Sequence, residues 1–409
     1  MPGGSCTHWK SAALPRRTPI ADIADSEPSR SGNDLTPRFS LTRGPTVEYR
    51  LLLSSPDASP SSPARTKVVY KQNQFMKISP RTIGTPLIAL LLAGAGIWGA
   101  LALWFMLPGD GARILLIVGY SALGVLGLVI GAVRRKLILA LLPFAIAFGT
   151  LLLWWSSVEP SNDRDWQQDV ARLPKAEIEG TSVTLRNIRD FSYRSETEYT
   201  PRWSEKTYDL RQLDTLDLIA VYWMGDAIAH IMLSFGFGGE QVAISIETRK
   251  EKGEDYSALA GFFRRYELLY VVGTERDLIG LRTTYRNPPE DVYLYRVNAP
   301  KGNIRRLFLE YLDEINALHE RPEFYNTATT NCTTNIVMHV RAFQQRVPVS
   351  WKILMSGYFP ELIHERGSLD QSLPFSELRG KSLINERARA KDGAEEFSRL
   401  IRQGLPGIQ

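Results

Sequence analysis

From residue 86 to residue 158 the chain is apolar in three runs with short polar breaks: PLIALLLAGAGIWGALALWFML (86–107), ILLIVGYSALGVLGLVIGAV (114–133) and LILALLPFAIAFGTLLLWWSSV (137–158). Each has 20 or 22 residues, close to the roughly 20 that a helix needs to cross a bilayer. A buried soluble helix can imitate one such run, but not three in tandem. The pattern therefore predicts a three-helix membrane anchor over residues 76–158, and with it a bacterial membrane as partner.

Beyond residue 160 the period changes. SVTLRNIRDF, DLIAVYWMG, HIMLSF, VAISIETR, YELLYVVG and DVYLYRV carry the β-branched and aromatic enrichment of half-buried strands. NIRRLFLEYLDEINALH has helical spacing, with Ile304, Leu307, Phe308, Tyr311, Leu312, Ile315 and Leu318 on one face. Strands and helices in mixed order, without an internal repeat, predict an α+β domain over residues 160–365. After residue 365 the chain turns polar (SELRGKSLINERARAKDGAEE), which reads as a polar C-terminal tail over 366–409, an exposed helix and a loose end. Residues 1–75, rich in Ser, Pro, Arg and Thr without apolar periodicity, read as disordered or as a mis-annotated extension, with Met76 the more natural start.

Charge orients the anchor. Lys77 and Arg81 precede the first run and Arg134, Arg135 and Lys136 separate the second from the third, whereas the first hairpin offers one Arg beside an Asp. By the positive-inside rule the amino end is cytoplasmic and the domain after residue 160 is periplasmic, with Trp154 and Trp155 at the exit interface. The net charge of +5 is spread along the chain, and no basic patch, Walker motif or soluble Rossmann turn marks a nucleic-acid or nucleotide partner. GAGIWG (94–99) fits GxGxxG but lies inside an apolar run, so it reads as small-residue helix packing. The Asn331-Cys332-Thr333 sequon is too short a pattern to decide anything. Arg249, Arg264, Arg265, Arg276, Arg282 and Arg286 either attract anionic headgroups or form a solvated face with paired acids, and RRYE and TERD favour the second.

The candidate chemistry centres on YNTATTNCTTNIVMHV (325–340). If translation starts at Met76, Cys332 has no second cysteine to pair with. Thr329, Thr330 and Asn331 are good N-cap types, and IVMHVRAF continues with helical spacing, which puts Cys332 in the first turn of a helix. There the free amides and the positive end of the dipole stabilise a thiolate. A thiol pKa lowered from about 8.5 to about 6 would raise the thiolate share at neutral pH to roughly 90%.

Of the five histidines, His8 lies in the N-terminal extension and His339 is about 10 Å along the same helix from the thiol. His319 ends a helix where it can cap carbonyls, and His364 sits where the periodic pattern fades. His230 is different. IAHIMLSFGFGGEQVAISIETRK reads as two strands joined at Gly238-Gly239, and pairing Phe237 with Glu240 puts His230 opposite Glu247 on one face. An imidazole held by a carboxylate is what thiol and serine nucleophiles use. A slip or bulge would instead bring Ser245 near or move Glu247 away.

AHIMLSFGF, AISIETRKEKGEDY, YVVGTERDLIGLRT and FYNTATTNCTTNI together resemble the family of the Lnb N-terminal periplasmic domain, over roughly residues 160–365. The resemblance implies a papain-like fold of the permuted NlpC/P60 type, in which the histidine precedes the cysteine, as His230 precedes Cys332. It implies acyl transfer onto the amino-terminal cysteine of a lipoprotein through a Cys thioester, with Cys332 as nucleophile and His230 as general base. Glu247 as third residue comes from the strand register alone. Three amino-terminal spans depart from the arrangement expected of that acyltransferase, and leave the substrate open.

Three readings compete. The first is a membrane-anchored thiol enzyme acting on acyl or amide bonds of a lipoprotein or phospholipid substrate, with Asn331 or a neighbouring backbone amide at the oxyanion and Ser245 in support. The second is a non-catalytic envelope binding or assembly module. The third, metal binding by Cys332, His230 and His339, lacks CxxC or HxxxH spacing. No cofactor is expected, and nothing in the sequence fixes the oligomeric state.

Overall fold

The computed structural model describes residues 80–344, 349–394 and 396–408, with side chains from Leu87 onward. The segment 1–75 and Met76 lie outside the described residues.

The three apolar runs form α1 (Pro80–Met106), α2 (Asp110–Arg134) and α3 (Leu137–Ser157), each long and apolar enough to cross a membrane. Their outward residues are large and bare, including Leu90, Leu115, Ile138 and Leu153, as a lipid-facing surface requires. Close approach uses small residues. A methyl group at Gly127 would stand 2.8 Å from the Ala140 carbonyl oxygen, and one at Gly99 2.4 Å from the Tyr120 hydroxyl. Of the GAGIWG glycines only Gly99 makes such a contact; a methyl group on Gly94 or Gly96 would meet nothing within 4 Å. The carboxyl ends of α1 and α3 meet the following domain, so the hairpin bearing Arg134, Arg135 and Lys136 lies at the opposite end of the helices.

The domain contains β1 (Lys175–Glu179), β2 (Ser182–Arg189), β3 (Ser192–Tyr193), β4 (Tyr199–Thr200), β5 (Trp203–Asp209), β6 (Leu213–Tyr222), β7 (Ala229–Phe237), β8 (Glu240–Arg249), β9 (Glu267–Gly273) and β10 (Asp291–Arg296). Its helices are α4 (Glu275–Gly280), α5 (Lys301–Glu320), α6 (Cys332–Phe343), α7 (Trp351–Leu354), α8 (Phe359–Glu365), α9 (Phe375–Ser382), α10 (Asn385–Ala390) and α11 (Phe397–Arg402). The main sheet runs β1-β2-β9-β8-β7-β6-β10, with β5 also paired to β2. This is the α+β domain that the patterns predict.

Alternation along the strands makes two cores. On one face Ile231, Leu233, Phe235, Ile244 and Ile246 pack against α5 and α6; on the other, Met232 and Ala243 pack with Leu278, Ile279, Phe397 and Ile401. The predicted stripe of α5, from Ile304 to Leu318, is buried residue for residue. Each such side chain contributes about 1.5–3 kcal/mol, so α5 clamps the sheet from which the site projects.

The expectation of a loose end after residue 365 does not hold. Leu369, Leu378, Ile384, Ala388, Phe397 and Ile401 are buried. Arg402 donates to Asp217 (2.9 Å) and Glu275 (2.7 Å), both fully buried. The reading as a tail fails because charged side chains mask this segment: Arg402 neutralises buried acids of the sheet and helix beneath it.

The arginine cluster is neither a headgroup patch nor a solvated face. Arg249 and Arg282 are buried. Arg249 donates to the carbonyls of Val170 and Ala171, Arg276 to Asp190, and Arg286 pairs with Glu290. Arg264 donates to the carbonyls of Trp155 (3.0 Å) and Val158 (2.9 Å), and Arg265 to that of Phe105 (3.0 Å). These two hold the domain to the helix ends.

Candidate functional site

Cys332 is the first residue of α6. Asn331 caps the helix: its side-chain oxygen accepts from the N–H groups of Thr333 (2.9 Å) and Thr334 (2.8 Å), while the Thr334 hydroxyl accepts from Asn331 N–H (2.9 Å). This reciprocal capping box fixes the first turn, and with it the thiol at the positive end of the helix dipole.

The imidazole comes from the β7–β8 hairpin. Gly238 and Gly239 take positive φ angles of 60° and 102° at its turn, which glycine adopts without strain. The ladder runs from Phe237–Glu240 to Met232–Ser245, the predicted register. Beyond that pair β8 continues against β9, with Glu247 opposite Leu269. His230 and Glu247 face each other at this open end, with Nε2 3.2 Å from Oε1.

Ser245 joins them. Its hydroxyl is 2.6 Å from His230 Nε2 and donates to Glu247 Oε1 at 2.7 Å. The strand period explains why both sequence alternatives are met at once, since Ser245 and Glu247 are two residues apart on one face. With Nε2 so engaged, Nδ1 is the ring nitrogen left to serve the thiol. His230 and the Ile231 N–H stand close enough to the Cys332 sulfur to lower its pKa, and the Thr333 hydroxyl lies 3.7 Å from it. Cys332 is buried, at 7% exposure.

Arg282 completes the chain, donating to Glu247 Oε1 at 2.9 Å and to the Leu278 carbonyl at 2.9 Å. Sequence reasoning missed this role. Arg282 lies in a π-helical turn, Leu281–Tyr285, directly after α4, and only the packing of α4 on the sheet brings it to Glu247.

The electrostatics favour an ion pair. Burial alone would pull the His230 pKa down, but the charges of Glu247 and Cys332 outweigh it and hold the group up at about 9. Burial alone would raise the Cys332 thiol, yet the His230 charge, the hydrogen bonds from His230 and the Ile231 N–H together lower it. Burial also opposes the Glu247 charge, and His230 and Arg282 hold that carboxyl well below its usual range. These directions favour a thiolate beside an imidazolium.

Asn331, expected at the oxyanion, is engaged by its own loop and helix. Its side-chain amide donates to the Thr327 carbonyl at 2.7 Å and its backbone N–H to Thr334. The Cys332 N–H has no protein acceptor among the described residues and is the backbone amide available at the thiol.

Among the described residues the other histidines stand apart from this chain. His339 is buried against the Tyr270 hydroxyl at 2.6 Å, and burial pushes its pKa down to about 4. His319 contacts the Pro174 carbonyl and His364 that of Leu373; His364 lies within α8, not in fading structure. An apolar cavity of about 360 Å³ lies one helical turn beyond the thiol, lined by Leu233, Ile304, Leu307, Ile336, Val337 and other residues.

No curated protein sequence and no solved structure matches the chain. Three helices able to span a membrane precede the domain, and the domain's family supports an inner-membrane protein with a periplasmic C-terminal domain. The segment that carries His230, Ser245, Glu247 and Cys332, residues 199–357, matches the family model of the Lnb N-terminal periplasmic domain.

Proposed function

We propose that the protein is a membrane-anchored periplasmic thiol enzyme that opens acyl or amide bonds, with lipoprotein N-acyl transfer through a Cys332 thioester as its specific form. The observation that carries this reading is the hydrogen-bonded chain from His230 to Ser245, Glu247 and Arg282, with the Cys332 thiol close enough to the imidazole for each to shift the other's pKa. A histidine that merely filled the core would not need a buried hydroxyl, a carboxylate and a guanidinium behind it.

In the proposed reaction the Cys332 thiolate attacks the carbonyl carbon of the donor. The C–S bond forms as the carbonyl π pair moves to oxygen, where the Cys332 N–H stabilises the charge. The oxyanion collapses, the bond to the leaving oxygen or nitrogen breaks, and the His230 imidazolium gives that atom its proton. An acceptor amine then attacks the thioester while neutral His230 takes its proton, and the thiolate departs. Water in place of the amine gives hydrolysis with the same proton traffic. Glu247 and Ser245 hold the ring in position, and Arg282 holds Glu247.

The apolar cavity beside Ile336 and Val337 favours an acyl chain over a purely polar amide. The circular order of His230 before Cys332 is that of the permuted papain-like enzymes. The basic hairpin at Arg134 to Lys136, remote from the domain, supports a cytoplasmic amino end.

Complementation with Cys332→Ala tests the proposal. The variant should keep the domain folded and lose all acyl or amide turnover in membranes. Activity retained in that variant would reject Cys332 as nucleophile and return weight to a binding or assembly module.

A further inference from the structure

The loop between β8 and β9 has two unlike halves. Phe263, Arg264 and Arg265 bind it to the anchor: the Phe263 ring lies 5.6 Å from Phe105 and 6.1 Å from Trp98, and the Arg264 guanidinium lies 4.1 Å from the Trp155 ring. Trp98 stands eight residues before the end of α1, about 12 Å along its axis. The buried half of the loop thus reaches alongside the helices rather than resting above them. The other half leaves three large apolar side chains bare: Tyr256 at 48%, Leu259 at 47% and Phe262 at 42% exposure.

The same loop borders the thiol. Thr327, five residues before Cys332, donates its hydroxyl to the Ala258 carbonyl at 2.7 Å, and a methyl group on Gly261 would come within 2.3 Å of that hydroxyl. Burial of the covered half of Tyr256 raises its phenol to about 12, with the charges of Cys332 and Glu247 adding to the shift. Strand direction agrees with this placement. His230 opens β7, Glu247 is near the end of β8 and Glu267 opens β9, so the site and the loop occupy one end of the sheet. The β7–β8 turn lies at the other, about 26 Å away at roughly 3.3 Å per residue.

We propose that the loop 255–263 is an interfacial docking element, with Tyr256, Leu259 and Phe262 seated in the bilayer leaflet beside the carboxyl ends of α1 and α3, holding the Cys332 cleft at the membrane surface. Lipid is the occupant because the loop is continuous with helices that lipid already surrounds. Aromatic and aliphatic side chains beside Trp and Arg suit that depth. The inference concerns placement and stands whether or not Cys332 turns over a substrate.

The test uses the full chain in vesicles of phosphatidylethanolamine and phosphatidylglycerol. With Cys6→Ser and Cys332→Ser as background, Leu259→Cys and Phe262→Cys each carry an environment-sensitive nitrobenzoxadiazole label. Arg211→Cys, in the exposed turn against Gly238, carries the control label. In vesicles containing acyl-chain spin-labelled lipid, both loop labels should lose about twofold or more of their emission while the control does not change. Loop labels that emit as the Arg211→Cys label does, in either variant that folds, would overturn the proposal.

Discussion

The Ser245 hydroxyl stands 2.6 Å from His230 Nε2, fully buried between the imidazole and the Glu247 carboxylate. A bridge in that place lets the carboxylate orient the ring through a hydroxyl as well as directly. Hydrogen bonds to charged groups contribute about 1.5–3 kcal/mol. Ser245→Ala should therefore slow alkylation of Cys332 at neutral pH by about 10- to 100-fold, less than His230→Ala. Intact-mass kinetics with iodoacetamide measures both; equal rates in Ser245→Ala and the parent would mean that the hydroxyl only fills space.

The pH profile follows from the signs of the shifts. A lowered thiol pKa keeps Cys332 ionised below the usual thiol range, and His230 remains protonated until about pH 9. Alkylation should accordingly persist at pH values where an ordinary thiol is protonated and stay nearly level toward pH 9. In His230→Ala the loss of the positive partner should move the rise upward in pH, because burial then acts on the thiolate with its main counterweight gone.

Asn331→Asp separates capping from charge. The carboxylate keeps an acceptor for Thr333 and Thr334 N–H but loses the donor to Thr327 and places a negative charge beside the sulfur. The thiol pKa should rise and reactivity at pH 7 should fall, with little loss in Tm. Asn331→Ala should instead cost about 0.5–2 kcal/mol of stability through the lost cap, read as a lower Tm.

Arg282→Gln leaves Glu247 without its guanidinium. A loss of about 1–3 kcal/mol in stability is expected, together with slower alkylation, since the carboxylate that orients His230 loses its own anchor. Thermal unfolding and thiol kinetics in one sample separate this from a purely structural effect: Arg282→Gln with a lower Tm and unchanged kinetics would remove Arg282 from the positioning chain.

Removing the segment after residue 391 should abolish folding of the domain. It strips Phe397 and Ile401 from the second core and takes Arg402 from Asp217 and Glu275. Breaking buried ion pairs from one side costs about 3–5 kcal/mol. Arg402→Ala alone should already lower Tm sharply.

Much of this was legible in the chain. Six of the ten strands announced themselves through β-branched and aromatic enrichment and α5 through its helical period, and the Gly238-Gly239 turn gave the register that brings His230 to Glu247. Asn331 and Cys332 read as cap and first turn because capping chemistry is local. What stayed hidden depends on distance in sequence. Arg282 reaches Glu247 only once α4 has packed, and the buried acids that Arg402 neutralises lie 127 and 185 residues away. Charged residues were read as solvent-facing because nothing local distinguishes an exposed arginine from one that serves a buried carboxylate.

The glycine turn at 238–239 acts on the site as a reading frame acts on a message. Nine residues of β7 and ten of β8 carry its setting to the far end of the hairpin, and side chains alternate faces at every step. One residue inserted at the turn would leave both strands apolar and pairable, yet His230 and Glu247 would no longer stand opposite one another. The chemistry proposed at Cys332 thus depends on a count kept at a surface turn that never approaches it.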